Sequence, residues 1–176
     1  DTLGGVLSGT KTMMKKIFDS EYLNIGSGIQ PFNAWLLIRG LRTLPARIER
    51  ITKSTTAVVA FMQQHSKVES VIFVGDASFP QYQLAKQQMK GACGLFTFVL
   101  KTTGMSSIVR FCESLQHIMM AVSWGGHESL IIPKCAGLKE EDFDPSNKEH
   151  RYIRMYVGLE EPKFLIKDLE QALDII

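Results

Sequence analysis

From Gln64 to the C-terminus the chain alternates short apolar runs with amphipathic helical periods, and that alternation restricts it to an α/β architecture. Residues 68–74 (VESVIFV) are rich in β-branched side chains and read as a strand. Residues 94–100 (GLFTFVL), 118–123 (IMMAVS) and 153–157 (IRMYV) read as three more. Helical spacing occupies 80–89 and 106–115, the second with Ile108, Cys112 and Leu115 on one side. A last helix opens at Pro162 and presents Leu165, Leu169, Ala172, Leu173 and Ile176 to a core, with Glu160 and Glu161 at its positive end. Helices that connect strands must cover a face of the sheet. Residues 133–150 are polar and aperiodic and read as a long surface loop.

The first part of the chain has a different texture. Residues 3–8 (LGGVLS) read as a short strand, Lys11–Ile17 as a basic helical turn and 24–30 (NIGSGIQ) as a loop. Pro31 sits well at the first position of a helix, where its missing N–H costs nothing; that helix carries Phe32, Trp35, Leu36 and Ile38. Pro45 should kink or end it. Periodicity then resumes with Ile48, Ile51, Val58, Val59 and Met62 on one stripe. The methionines and aromatic residues of the helices are expected in the core. The organisation is a leading fragment (about 1–30), a connecting helix, and an α/β unit over 46–176.

Composition excludes more than it selects. The 20 lysines and arginines are spread along the chain and the net charge is +2, so no basic patch for nucleic acid is expected. No apolar run approaches the about 20 residues of a membrane span. The three cysteines (93, 112, 135) form no CxxC pair, which fits reduced thiols rather than a disulfide framework or zinc site. The four histidines (65, 117, 127, 150) show no ligand spacing, so no metal is expected. Two phosphate-loop look-alikes fail. After Gly4 and Gly9 the lysine comes one residue late, at Lys11, and Gly26-Ser27-Gly28 lacks a preceding strand and a third glycine. Asp1 is not Met and opens on an apolar segment, so it is expected to be an internal residue of a longer chain.

Two segments carry the chemistry. In 153–157, Ile153, Met155 and Val157 should face one side of the sheet and Arg154 and Tyr156 the other. An arginine there is either solvated, salt-bridged, or paired with a planar carboxylate that its fork matches. In SWGGHESL (123–130), Gly125 and Gly126 permit a turn that either ends a strand or aims backbone groups at a ligand. Trp124 either lines a pocket or fills the core. Ser123 offers a hydroxyl without a His/Asp partner that would make it a nucleophile. His127 adjoins the glycine turn, with a surface role as the alternative to a functional one.

Four longer segments carry a family resemblance: LIRGLRTLPARIER (37–50), ASFPQYQLAKQQMKGACGLFTFVL (77–100), SWGGHESL (123–130) and IRMYVGLEEPKFLIKDLEQAL (153–173). Through them the chain resembles the C-terminal part of the pyridoxal-phosphate enzymes of cysteine and methionine metabolism. These include cystathionine γ-synthase, cystathionine β- and γ-lyases, methionine γ-lyase and O-acetylhomoserine sulfhydrylase.

The resemblance implies an aminotransferase-like fold. Residues 1–45 would be the end of the large cofactor-binding domain with its connecting helix. Residues 46–176 would be the small C-terminal domain, with helices on a largely antiparallel sheet. It implies that Arg154 clamps the substrate α-carboxylate, that Ser123 helps hold it, and that Trp124 lines the site. It implies pyridoxal 5'-phosphate as cofactor of the intact enzyme and an amino-acid substrate. It also implies a homotetrameric assembly; the reduced thiols point to a cytoplasmic location, and the spread of charge and lack of an apolar span to no nucleic-acid or membrane partner.

No catalytic residue is expected within the chain. The Schiff-base lysine, and the aspartate, tyrosine and phosphate ligands of the cofactor, are expected upstream of Asp1. The 176 residues alone are therefore expected neither to bind cofactor nor to catalyse. Val122 and the 77–89 segment look like methionine γ-lyase; SWGG looks like bacterial cystathionine β-lyases. Val122 stands where enzymes that handle the distal amino group of cystathionine often have Glu. His127 and the 133–150 loop, which lacks the family's usual Thr-His pair, also depart from the pattern. Elimination at a C–S bond is the expected reaction, with γ-replacement as the alternative.

Overall fold

Two prolines set where the first long helices begin. The computed structural model describes residues 2–176. Helix α1 (Lys11–Ile17) is capped by the Thr10 hydroxyl, which accepts from the Met13 amide at 3.3 Å, and runs through a π-helical turn (Phe18–Tyr22) into α2 (Leu23–Ile25). Helix α3 (Pro31–Leu41) has Pro31 at its start, and α4 (Leu44–Gln64) takes Pro45 in its first turn, where no interior hydrogen bond is lost. Beyond α4 come β1 (Val68–Ile72), α5 (Tyr82–Gln88), β2 (Leu95–Leu100), α6 (Met105–Ser114), β3 (Met119–Met120), β4 (Leu130–Pro133), β5 (Tyr152–Tyr156) and α7 (Pro162–Asp174).

The chain divides into two compact units, Asp1–Ala46 and Arg47–Ile176. In the first, no described residue is buried. The strand expected at 3–8 is irregular chain with Leu3, Val6 and Leu7 exposed. A strand is held by a neighbour's hydrogen-bond ladder, and among the described residues this unit has no partner strand. The expected loop starts later than 24, because Asn24 and Ile25 close the helix. Phe32 and Trp35 are not core residues: they are 66% and 54% exposed and stack on each other at 5.9 Å. Their spacing is that of a packing face, but the unit supplies no second layer to cover it.

The second unit holds a five-stranded sheet, in the order β1-β2-β5-β4-β3. Every pairing is antiparallel except β3 with β4, which is parallel. One face carries Phe96, Phe98, Ile131, Ile153, Met155 and, just past β5, Val157. They pack with Val58, Val59 and Met62 of α4, Ile108, Phe111 and Cys112 of α6, and Leu165, Leu169, Ala172 and Leu173 of α7 in one buried cluster. Phe111 meets Phe98 edge to face at 5.8 Å. Each such fully buried side chain contributes about 1.5–3 kcal/mol relative to exposure. Ile48 leaves the expected stripe and is exposed, being one turn too early in α4 to reach the sheet.

Two polar devices tie α7 into place. Lys67 donates to the last-turn carbonyls of Leu173, at 2.8 Å, and Asp174, at 3.2 Å. Asp168 is 3% exposed, and its carboxylate accepts from the amides of Gln116 and His117, each at 2.9 Å, and of Ile118 at 3.0 Å, fixing the entry to β3.

Other boundaries differ from the sequence expectation. β1 stops at Ile72 rather than Val74, α5 is shorter than the expected 80–89, and the expected strand 118–123 pairs only over Met119–Met120. β4 has no counterpart among the expected strands. The 133–150 stretch contains two short 3-10 helices, Glu140–Asp142 and Lys148–Arg151.

Candidate functional site

Strand β5 presents Arg154 on the face away from the main core, in register with Thr97 of β2 and Ile132 of β4. The alternation expected for this strand holds for Arg154 but not for Tyr156, which is 3% exposed. The second face of the sheet is itself covered there. Tyr156 lies in register with Leu130 of β4, and the 126–128 segment folds back over it, its hydroxyl donating to the Gly126 carbonyl at 3.0 Å. Burial raises the Tyr156 pKa above the ordinary phenol value, with Cys93 and Glu128 adding to the effect.

The Arg154 guanidinium is partly buried and its Nη2 donates to the carbonyl of Val122 and, at 3.4 Å, to that of Ser123. Among the described residues no carboxylate pairs with it. Glu128 faces the His127 imidazole at 3.1 Å, and Glu160 is engaged by Ser129. The arginine is thus oriented by two neutral dipoles, and among the described residues its positive charge has no counter-charge. Among the described residues its Nε–H and Nη1–H groups make no hydrogen bond and remain to donate to a carboxylate.

The segment that Arg154 grips begins where β3 ends. Ser123 and Trp124 are both exposed, Trp124 to 61%, so the tryptophan does not fill the core. Gly125 has φ +93°, a left-handed conformation that side-chain-bearing residues rarely adopt. The structure therefore brings Arg154 and Ser123 together through the Ser123 carbonyl. His127 projects into solvent, with its side chain 86% exposed.

Sequence reasoning missed the residues that hold this segment from below. Ser129, 1% exposed, donates its hydroxyl to Glu160 and accepts from the Gly158 amide at 2.9 Å. A Cβ on Gly158 would collide with the His127 carbonyl oxygen, so only glycine permits this approach. These partners are about 30 residues apart in sequence, and no local period announces them.

A pyridoxal group needs an amine in an enclosed pocket, and the described residues do not offer one. Lys11, Lys15 and Lys16 lie on exposed α1, with Lys15 ion-paired to Asp19 at 2.6 Å. Every described lysine is exposed except Lys67, whose amine is engaged at the end of α7. No group of three or more metal-ligating side chains converges among the described residues. No described helix is long and apolar enough to cross a membrane.

Residues 1–174 match the family described as Cys/Met metabolism PLP-dependent enzyme. The chain is 37% identical to a canavanine γ-lyase of Pseudomonas canavaninivorans, over 99% of this chain and 44% of that protein. It is 34% identical to an L-methionine γ-lyase of Treponema denticola, again over 99% and 44%. Among solved structures it superposes on an O-acetylhomoserine (thiol)-lyase described as putative, from Campylobacter jejuni. The TM-score is 0.77 at 29% identity, covering 94% of this chain and 40% of that one, and that structure carries a pyridoxyl-lysine monophosphate. The chain spans less than half the length of these relatives.

Proposed function

The chain belongs to the Cys/Met metabolism PLP-dependent enzymes, and we propose that its residues form the carboxylate-binding part of an active site that eliminates across a C–S bond of an amino acid. The observation that carries this reading is Arg154. It is a partly buried guanidinium, aimed by the carbonyls of Val122 and Ser123 and lacking a carboxylate partner among the described residues. A charge partly withdrawn from water without a counter-ion carries a cost, and a substrate carboxylate removes it while fixing the amino acid in one orientation.

In this proposal Arg154 takes the α-carboxylate through guanidinium N–H groups that the Val122 and Ser123 carbonyls leave free, the Ser123 hydroxyl supplies a further donor, and Trp124 lines the substrate's approach. The lysine and the phosphate ligands of the cofactor belong to the other part of the active site. Residues 1–176 by themselves are inactive in this reading. The first unit is the end of the large cofactor domain with its connecting helix, and the second is the small C-terminal domain. The complete protein is a homotetramer, as the family resemblance implies, and cytoplasmic, the reading its reduced thiols support.

Elimination is favoured over replacement by the γ-lyase relatives and by apolar Val122 beside Arg154. The thiol-lyase neighbour supports replacement as the second reading. The two separate in one assay of the cofactor-loaded protein that carries this chain. Release of thiol, ammonia and a 2-oxo acid from methionine or cystathionine alone supports elimination. A new thioether, formed only when an activated homoserine and a thiol are supplied together, contradicts it.

A further inference from the structure

The turn that carries Ser123 is clamped at its exit rather than at its tip. Going from Gly126 to Ser129, three of four residues are tied to β5 or to the turn after it. The Gly126 carbonyl accepts from Tyr156 at 3.0 Å, and the His127 carbonyl accepts from the Leu159 amide at 2.8 Å. Ser129 is held most completely. Its amide donates to one Glu160 oxygen and its hydroxyl to the other, both at 2.8 Å, while the hydroxyl accepts from the Gly158 amide. Among the described residues, 123–125 are held only by the Arg154 contact on Ser123. The path of 123–125 is therefore set by its two ends, Ala121 and Val122 on the β3 side and the anchored residues 126–129 on the other.

We propose that Glu160 is a positioning residue for the carboxylate site: by clamping Ser129 it fixes the 123–128 turn, and with it the Ser123 hydroxyl and the Ser123 carbonyl that helps aim Arg154. This rests on the reading of Arg154 as the carboxylate ligand. Glu160 is not needed to start α7, because the N-cap position belongs to Glu161, which pairs with Arg50 at 2.7 Å. Nor does Glu160 reach the guanidinium. Both its oxygens face Ser129, a buried residue whose amide would otherwise have no acceptor. The carboxylate acts on substrate only through the backbone it holds, so its loss should weaken binding and spare turnover.

The test compares wild type, Glu160→Ala and Glu160→Gln in the pyridoxal-phosphate-loaded protein that carries this chain, by amide hydrogen exchange and by steady-state kinetics. In Glu160→Ala, exchange at 123–129 is expected to accelerate about tenfold or more while β2 and α7 keep their protection. KM for the amino acid should rise roughly tenfold with kcat within about twofold, the equivalent of one charged hydrogen bond. Glu160→Gln, which keeps one acceptor oxygen, should recover part of both effects. Unchanged exchange at 123–129 overturns the proposal whatever the activity, as does selective loosening with unchanged KM. Loosening of the whole second unit, with kcat falling as KM rises, shows a purely structural role and also overturns it. Arg154→Ala separates the two levels. A raised KM there with an unchanged KM in Glu160→Ala refutes only the role of Glu160; an unchanged KM in Arg154→Ala refutes the carboxylate reading and this proposal with it.

Discussion

The phenol hydroxyl of Tyr156 donates to the carbonyl of Gly126 at 3.0 Å, joining a strand residue to a turn 30 positions earlier in the chain. Tyr156→Phe keeps the ring and removes the bond, and is expected to cost about 1 kcal/mol, read as a lower urea midpoint with an unchanged slope. The folded-state pKa is raised, by burial first. The stabilisation is therefore fully present below the unfolded phenol value of about 10 and is lost as pH rises through the folded one. The wild-type advantage over the variant should be flat through neutral pH and shrink in alkali.

Asp168 holds three consecutive backbone amides at the entry to β3. Asp168→Ala leaves buried donors unmatched and should destabilise the second unit by about 3 kcal/mol or more. Asp168→Asn keeps a single acceptor oxygen and should fall between. Chemical denaturation of the three proteins checks the order.

How much of the fold can be read from the sequence depends on how far each signal reaches. β2, α6, β5 and α7 are legible because Phe96, Ile108, Ile153 and Leu165 belong to local periods that one buried face imposes. The four residues Leu130–Pro133 are too short for a period, and they count as a strand only because β5 lies beside them. Residues 3–8 have strand composition but no ladder. Alternation places Tyr156 on an open face because it cannot foresee a turn folding over that face. Arg154 is visible as a charge in an apolar strand; Glu160, Ser129 and Asp168 owe their roles to partners 29 to 52 residues away.

Glu69 is held below the ordinary carboxylate range, chiefly by its hydrogen bond to Arg151, with Lys148 at 3.2 Å assisting. A depressed folded pKa stabilises above the unfolded value of about 4.3 and is lost as pH falls through the folded one. Arg151→Met should therefore lower stability at neutral pH, by about 1 kcal/mol at most for a partly exposed pair. The difference from wild type should shrink in acid to what the Arg151 bond to the Leu100 carbonyl contributes, which thermal melts at several pH values would show.

Cys93 is exposed, whereas Cys112 and Cys135 are buried. Burial pushes the Cys112 thiol up to about 12 and raises Cys135 as well. Thiolate is the reactive form. At pH 8 a thiol-specific disulfide reagent should modify Cys93 alone in the native protein, and all three cysteines after denaturation. Fast native labelling of Cys112 would contradict the packing of α6.

The role of Arg154 is decided by the kinetics of Arg154→Ala and Arg154→Lys in the cofactor-loaded protein that carries this chain. A charged bidentate contact is worth about 1.5–3 kcal/mol, so kcat/KM for the amino acid should fall roughly 10- to 150-fold in Arg154→Ala. Lysine, which keeps the charge but not the fork, should restore only part of it. A kcat/KM unchanged in both variants would contradict the assignment of Arg154 as the ligand of the substrate carboxylate.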